Sequence, residues 1–396
     1  MNGKRTDLAA FYFPNYHADP RNNRIHHPGW SEWELVKAAR PRFPGHQQPK
    51  VPLWEYADES RPEVMARKID AAADYGLAGF LFDWYWYDEC PFLEGALTDG
   101  FQAAANCRRL KYALMWANHD WHDIHPMNRA HEFPLLFKGG VTEEQFDRMT
   151  DYVIARHFLH PSYWLIDRSP WFIIYEVCNF VESIGGWDKA RRALARFRAK
   201  VRDAGFADLH LTLVLWGCQI LPGERVAKSP EDVIRLSGAQ SVTSYVWTHH
   251  ITLPDFPFTE YEMPYRRNVA YWHESRLRHS VPYFPNVTMG WDSSPRTPQD
   301  EEYRNCGYPF CPVMKTTPGQ FEVALRESVA FVSPLPDGKR IVTVNAWNEW
   351  TEGSYLEPDT LNGYGYLEAI RRVMDGGDAH RRTNDQPDGS FLSYGK

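Results

Sequence analysis

Eight short runs of apolar residues, each followed by a polar connection and then an amphipathic segment, dominate this 396-residue chain. The runs lie at 8–13, 77–83, 112–116, 171–175, 209–216, 241–247, 283–289 and 340–347. Most are unbroken rather than alternating, as strands covered on both faces require. Helical periodicity is read at 61–75, 92–110, 143–158, 187–204, 230–236, 260–278, 319–332 and 363–374. In the first of these, Val64, Met65, Ile69, Ala72 and Ala73 share a face, Ser60 with Glu63 has capping-box spacing, and Gly76 marks a stop. Pro230 behind Ser229 reads as a first-turn proline, and Gly205 and Gly238 as helix stops. Eight strands alternating with eight helices predict an α/β fold, a single (β/α)8 TIM barrel with long loops after its strands. An open doubly wound sheet is the competing arrangement. No Gly-x-Gly-x-x-Gly or phosphate loop follows the first strand, which weakens its nucleotide-binding version. Residues 1–375 read as the barrel domain and 376–396 as a polar tail.

The formal net charge of −7 argues against a nucleic-acid partner bound through a basic field. No stretch approaches 18 apolar residues, so no membrane span is expected. The opening MNGKRTDLAAFYF has no apolar signal core, and the six cysteines are scattered without CxxC spacing. Both fit a cytoplasmic, reducing location. Oligomeric state is not legible from these features.

The strand ends share an unusual chemistry. The second run ends in Asp83-Trp84-Tyr85-Trp86-Tyr87, and the third in Trp116-Ala117-Asn118-His119-Asp120-Trp121. Later runs end at Glu176, Trp216, Trp247 with His249, Trp291-Asp292, and Trp347-Asn348-Glu349-Trp350-Thr351-Glu352. In a barrel the active site forms at the C-terminal ends of the strands. A mouth of rings, amides and carboxylates suits a polyhydroxylated ligand, because ring faces cover the C–H faces of a sugar while polar groups bind its hydroxyls. A carbohydrate substrate is therefore expected. The mouth-lining candidates are His17, Trp30, Asp83, Asn118, His119, Asp120, Trp121, Glu176, Trp216, Trp247, His249, Trp291, Asp292 and Asn348. For each, capping a strand or bonding a loop is the competing role.

Glu349 and Glu352 are the candidate catalytic pair. Carboxylates three apart on a helical turn have Cβ atoms ~5–6 Å apart. Retaining glycosidases place theirs ~5–5.5 Å apart, inverting ones ~6.5–9.5 Å. Apolar neighbours such as Trp347 and Trp350 would raise one carboxyl's pKa and keep it protonated as an acid. The cluster His119, Asp120, His122, Asp123 and His125 has metal-ligand chemistry, with His249 and His250 elsewhere. His-Glu-x-x-His is absent, and the histidines read better as sugar-binding or loop-bound, so no metal is expected. No Gly-x-Ser-x-Gly supports a serine nucleophile.

Several blocks carry a family resemblance. They are 10–17 (AFYFPNYH), 29–33 (GWSEW), 44–49 (PGHQQP), 75–80 (YGLAGF), 116–118 (WAN), 290–292 (GWD) and 345–358 (NAWNEWTEGSYLEP). The chain resembles the WbsX-like group, which belongs with the glycoside hydrolase family 99-like domains. The resemblance implies a cofactor-free (β/α)8 barrel and retaining endo-action on α-mannosides, with Glu349 and Glu352 as the working carboxylates. It implies that Glu349 deprotonates the sugar's own 2-hydroxyl, which displaces the leaving group to form a 1,2-anhydro sugar. Glu352 would protonate the leaving oxygen and later activate water. Three positions depart from the group. Trp116-Ala117-Asn118-His119-Asp120-Trp121 stands where many members read W-A-N-E-N-W, and Asp83 stands where relatives often carry an aromatic residue. A retaining glycoside hydrolase is the leading expectation. A glycosyltransferase of surface-polysaccharide assembly and a non-catalytic glycan-binding barrel are the alternatives.

Overall fold

The computed structural model describes residues 6–127, 133–221 and 223–376. The predicted tail, beyond Gly376, lies outside the described residues. The apolar runs form a parallel barrel of eight strands. They are β1 (Asp7–Tyr12), β2 (Gly79–Tyr87), β3 (Lys111–Trp116), β4 (Ser169–Ile174), β5 (His210–Val214), β6 (Ser241–Thr243), β7 (Tyr283–Phe284, resuming at Asn286–Thr288) and β8 (Ile341–Asn345). They pair in chain order, and β8 returns to β1 with Ile341 opposite Asp7.

Closure depends on one proline. Pro285 has no N–H to give a ladder, and β7 changes partner at that residue. Tyr283 and Phe284 pair with Val242 and Thr243 of β6, whereas Asn286–Thr288 pair with Thr343, Val344 and Asn345 of β8. The Pro285 carbonyl still accepts from the Thr343 amide at 2.9 Å. A strand that splits its pairing this way brings the two edges of the sheet together into a nearly closed barrel.

Outer helices bury stripes at the spacing read from sequence. Trp187–Asp203 buries Ala190, Ala193, Leu194, Phe197 and Val201. A fully buried side chain such as Phe197 contributes roughly 1.5–3 kcal/mol. Two local readings are corrected. The helix expected at 92–110 is a π-helical turn, Ala96–Phe101, and a 3-10 turn, Cys107–Arg109. Its glycines serve close approach: a Cβ on Gly100 would lie 2.2 Å from the Glu59 carbonyl oxygen, and one on Gly95 would lie 2.7 Å from the His17 ring. The helix expected from 61 runs over Pro62–Asp74, and Ser60 bonds Asp58 rather than capping it, because Pro62 already opens the first turn. Capping boxes form instead at Thr142 with Gln145 and at Thr317 with Gln320.

β2 runs four residues beyond its expected end, carrying Asp83 to Tyr87 as strand. The run expected to reach 247 ends as strand at Thr243, and Trp247–His249 is a 3-10 turn. Among the described residues, no helix is long and apolar enough to cross a membrane.

Candidate active site

Glu349 and Glu352 sit on a short excursion from β8. Asn348–Glu349 pairs antiparallel with Ser354–Tyr355, and Trp350–Glu352 forms the 3-10 turn between them. The excursion is tied down on three sides. Asn348 accepts from the Phe13 amide at 2.8 Å and donates to the Phe13 carbonyl at 2.8 Å, locking it to the end of β1. The indoles of Trp347 and Trp350 donate to Glu357 at 3.0 and 2.7 Å. Buried Lys68 reaches both Glu357, at 2.7 Å, and Glu59, at 2.6 Å. Gly353 closes the turn at φ +66°, and a Cβ there would lie 2.6 Å from Asp292 Cβ. Gly353→Ala is therefore expected to cost at least about 1–2 kcal/mol in the left-handed backbone alone and to displace the carboxylates. Denaturant unfolding and far-UV dichroism check this: stability falls while secondary structure persists.

One guanidinium gathers the acids. Arg296, on the loop after β7, donates from Nη2 to Glu349 at 3.0 Å and to Glu32 at 3.1 Å, and from Nη1 to Glu352 at 2.5 Å. Glu32 also receives His125 Nε2 at 2.7 Å, Asn15 Nδ2 at 3.1 Å and the Thr351 hydroxyl. Burial raises the Glu32 pKa, but Arg296 and His125 outweigh it and hold the carboxyl at about 2. Glu349 and Glu352 are 2% and 7% exposed. Burial lifts the pKa of both; each other's proximity lifts Glu349 further, and Arg296 pulls both back.

The hydrogen bonds distinguish the pair. Both Glu349 oxygens accept, Oε1 from Arg296 and Oε2 from Tyr245 at 3.1 Å. In Glu352 only Oε1 accepts, from Arg296 and from Tyr308 at 3.1 Å. Its Oε2 has no hydrogen-bond partner among the described residues and is the oxygen able to carry a proton.

Both glutamates line one cavity of about 620 Å³ at the C-terminal mouth of the barrel. Of the residues expected at the mouth, Asp83, His119, Asp120 and Trp121 line it too. Rings of Phe13, Tyr85, Tyr175 and Tyr245 complete much of the wall.

The other candidates do not line this cavity. Asn118 clamps the Glu176 backbone in both directions, at 2.7 and 2.8 Å. Glu176 caps Val177–Ser183 and accepts from the Arg225 amide; burial pushes its carboxyl up to about 7. Trp247 donates to the Asn286 carbonyl and Trp291 to Cys311 Sγ, so these indoles find the buried partners that strand-end tryptophans need. Trp216 stacks on His249, which approaches Glu224 at 3.5 Å. His17 packs under Gly95, and Trp30 stacks on His26 beside His125. Asn348 is the lock described above. Asp292 accepts from His46 at 2.9 Å and Gln48 at 2.8 Å, and it borders a second cavity of about 530 Å³ behind the Gly353 turn.

Glu32, Arg296, Tyr245 and Tyr308 were not among the sequence candidates. Glu32 lies inside the GWSEW block at 29–33, so a signal was present. Arg296, in Ser293-Ser294-Pro295-Arg296, has no motif around it. In the histidine-rich loop, His119 Nδ1 contacts the Asp120 carbonyl, His122 Nδ1 the Phe133 carbonyl, and His125 meets Glu32. Among the described residues no three His, Cys, Asp or Glu side chains are grouped to hold a metal ion.

Comparison with known proteins bears on the family and the fold. The family model described as "Glycosyltransferase WbsX" matches residues 8–370. The protein named WxcX from Xanthomonas campestris pv. campestris strain B100 is 28% identical over 370 residues, covering 93% of this chain and 49% of the relative. The chain thus spans about half the length of that relative and of its counterpart in strain ATCC 33913. Among solved structures, the GH99 endo-alpha-mannosidase from Bacteroides thetaiotaomicron superposes with a TM-score of 0.55 at 14% identity, covering 94% of this chain and 97% of that one. A glycoside hydrolase-like protein superposes with a TM-score of 0.56 at 13% identity, covering 94% and 95%. These structural likenesses bear on the fold, which is that of TIM-barrel glycoside hydrolases.

Proposed function

The chain belongs to the family described as glycosyltransferase WbsX, and we propose that this member is a retaining glycoside hydrolase acting on an oligosaccharide or polysaccharide. The observation that carries the reading is the asymmetry of the two glutamates around Arg296. Glu349, accepting on both oxygens, is satisfied as an anion and suits a base. Glu352, whose Oε2 has no partner among the described residues, suits an acid. In the proposed route Glu349 takes the proton of the 2-hydroxyl, and that oxygen attacks the anomeric carbon. The bond to the leaving oxygen breaks as Glu352 gives it a proton, leaving a 1,2-anhydro sugar. Glu352, now ionised, removes a proton from water, which opens the ring at the anomeric carbon while Glu349 returns its proton to O2. Two inversions give net retention. The 2-hydroxyl must lie trans to the leaving group, as in an α-mannoside.

Charge favours hydrolysis over transfer from a nucleotide sugar. A pyrophosphate is held by basic side chains or by phosphate loops at helix N-termini. Among the described lining residues Arg296 is the one Arg or Lys, and it is committed to three carboxylates. The family's description supports transfer as the second reading.

The test is incubation of the purified protein with a glycan and aryl-glycoside panel. Mass spectrometry reads cleavage and NMR reads the anomer first released. Calorimetry with nucleotide sugars and Mn²⁺ runs alongside. Cleavage with retention is expected. Tight nucleotide binding without cleavage establishes transfer instead, and sugar affinity without turnover establishes a glycan-binding barrel.

A further inference from the structure

Tyr245 lies between two carboxyls that it cannot serve with one proton. Its hydroxyl oxygen is 2.8 Å from Asp83 Oδ2 and 3.1 Å from Glu349 Oε2. A tyrosine hydroxyl has one hydrogen, and an ionised carboxylate only accepts. Were both carboxyls ionised, one of these buried contacts would be oxygen against oxygen with no proton between them. The trio therefore holds one proton more than the tyrosine's own.

We infer that this proton resides on Asp83, which acts as a neutral carboxylic acid: it donates to Tyr245, and Tyr245 donates to an ionised Glu349. The inference rests on the hydrolase reading for its kinetic test only. Glu349 is the ionised partner because Arg296 stands 3.0 Å from its other oxygen. Asp83 has Tyr245 as its hydrogen-bond partner among the described residues, and its Oδ1 is buried with none. An anion left that way in the interior costs far more than a neutral acid.

The surroundings agree. Asp83 is faced by Tyr245 from the loop after β6 and by Glu349 and Glu352 from the turn after β8. Arg296 lines the same cavity from the loop after β7, with Tyr85 from β2 and Tyr175 from the end of β4. Burial drives the Asp83 carboxyl well above the usual range; Tyr245 opposes this, and the charge of Glu352 adds to it. Asp83 thereby positions the base through Tyr245 without placing a second anion beside it.

Asp83→Asn tests this, because an amide reproduces a neutral acid. Its NH2 donates to Tyr245 and its oxygen takes the buried place of Oδ1. At neutral pH D83N is expected to retain at least tenfold more turnover than Asp83→Ala, and its alkaline limb is expected to extend beyond that of wild type, which falls as Asp83 ionises. Asp83→Ala and Tyr245→Phe are expected to lose at least tenfold. D83N as impaired as D83A overturns the assignment.

A second arm needs no substrate. A carboxyl whose folded pKa is raised stabilises fully below its unfolded value, ~4, and loses that contribution as pH rises through the folded value. The Tm of D83N minus that of wild type should therefore grow as pH rises above about 4. Wild type should also show an infrared carboxylic-acid carbonyl band that D83N lacks. A flat Tm difference and no such band overturn the proposal. If this arm holds while no glycan is cleaved, it is the hydrolase reading that fails.

Discussion

Glu352→Gln lowers turnover on an unactivated glycoside by about 10²–10⁴, or roughly 3–5 kcal/mol of barrier, while an aryl glycoside with an acidic leaving group is cleaved with much less loss in the glycosylation step. Glu349→Gln loses a comparable factor on both substrates. The contrast follows from what each oxygen can do. The Oε2 of Glu352, without a partner among the described residues, supplies a proton only to a leaving group that needs one. Glu349, bracketed by Arg296 and Tyr245, acts on the 2-hydroxyl whatever departs. Steady-state and single-turnover kinetics on matched substrates read the difference. Equal losses across leaving groups for both variants would remove the division of roles, and full turnover in both would remove the assignment altogether. Neither variant should unfold the protein. Each replaces a carboxyl that burial already penalises with a neutral amide, so Tm is expected to hold or rise, as it does when crowded active-site charge is relieved.

The barrel was legible because strands covered on both faces must be largely apolar, and β1, β3 and β4 show that pattern from their second residue onward. What escaped depends on partners distant in the chain. Gly95 and Gly100 belong to a disrupted helix because of His17 and the Glu59 carbonyl, and nothing local announces those neighbours. The glutamate pair was legible from its spacing and its place after the last strand. Its cation was not: Arg296 meets Glu32 across 264 positions, and an isolated arginine in a Ser-Pro loop has no periodicity to betray it. The tryptophans misled in a specific way. Many at strand ends looked like sugar platforms, yet Trp247, Trp291, Trp347 and Trp350 place their N–H groups on buried acceptors and hold loops in place. Side chains behind the cavity wall shape its chemistry as much as those facing it.

Arg296→Met is expected to be the most damaging single change in the site. The guanidinium is the shared counter-charge of Glu32, Glu349 and Glu352, and removing one partner of a buried ion pair costs about 3–5 kcal/mol because the remaining charge stays unpaired. The pH dependence identifies the cause. The folded pKa of Glu32, about 2, lies below its ordinary value, so its stabilisation is present above ~4.3 and is lost as pH falls through the folded value. Without Arg296 that carboxyl, like its two neighbours, holds a proton more readily. The Tm deficit of R296M should therefore be largest near pH 7 and shrink toward pH 4, where the acids neutralise themselves. Activity should shift in the same sense: the base loses its cation, so the acidic limb of the pH profile moves to higher pH. Arg296→Lys separates charge from geometry, since a point charge cannot fork onto three carboxylates; it is expected to recover much of the Tm and little of the turnover. A pH-independent Tm deficit would mean that the arginine merely fills space among the acids, and full activity in R296K would mean that its charge suffices without the fork.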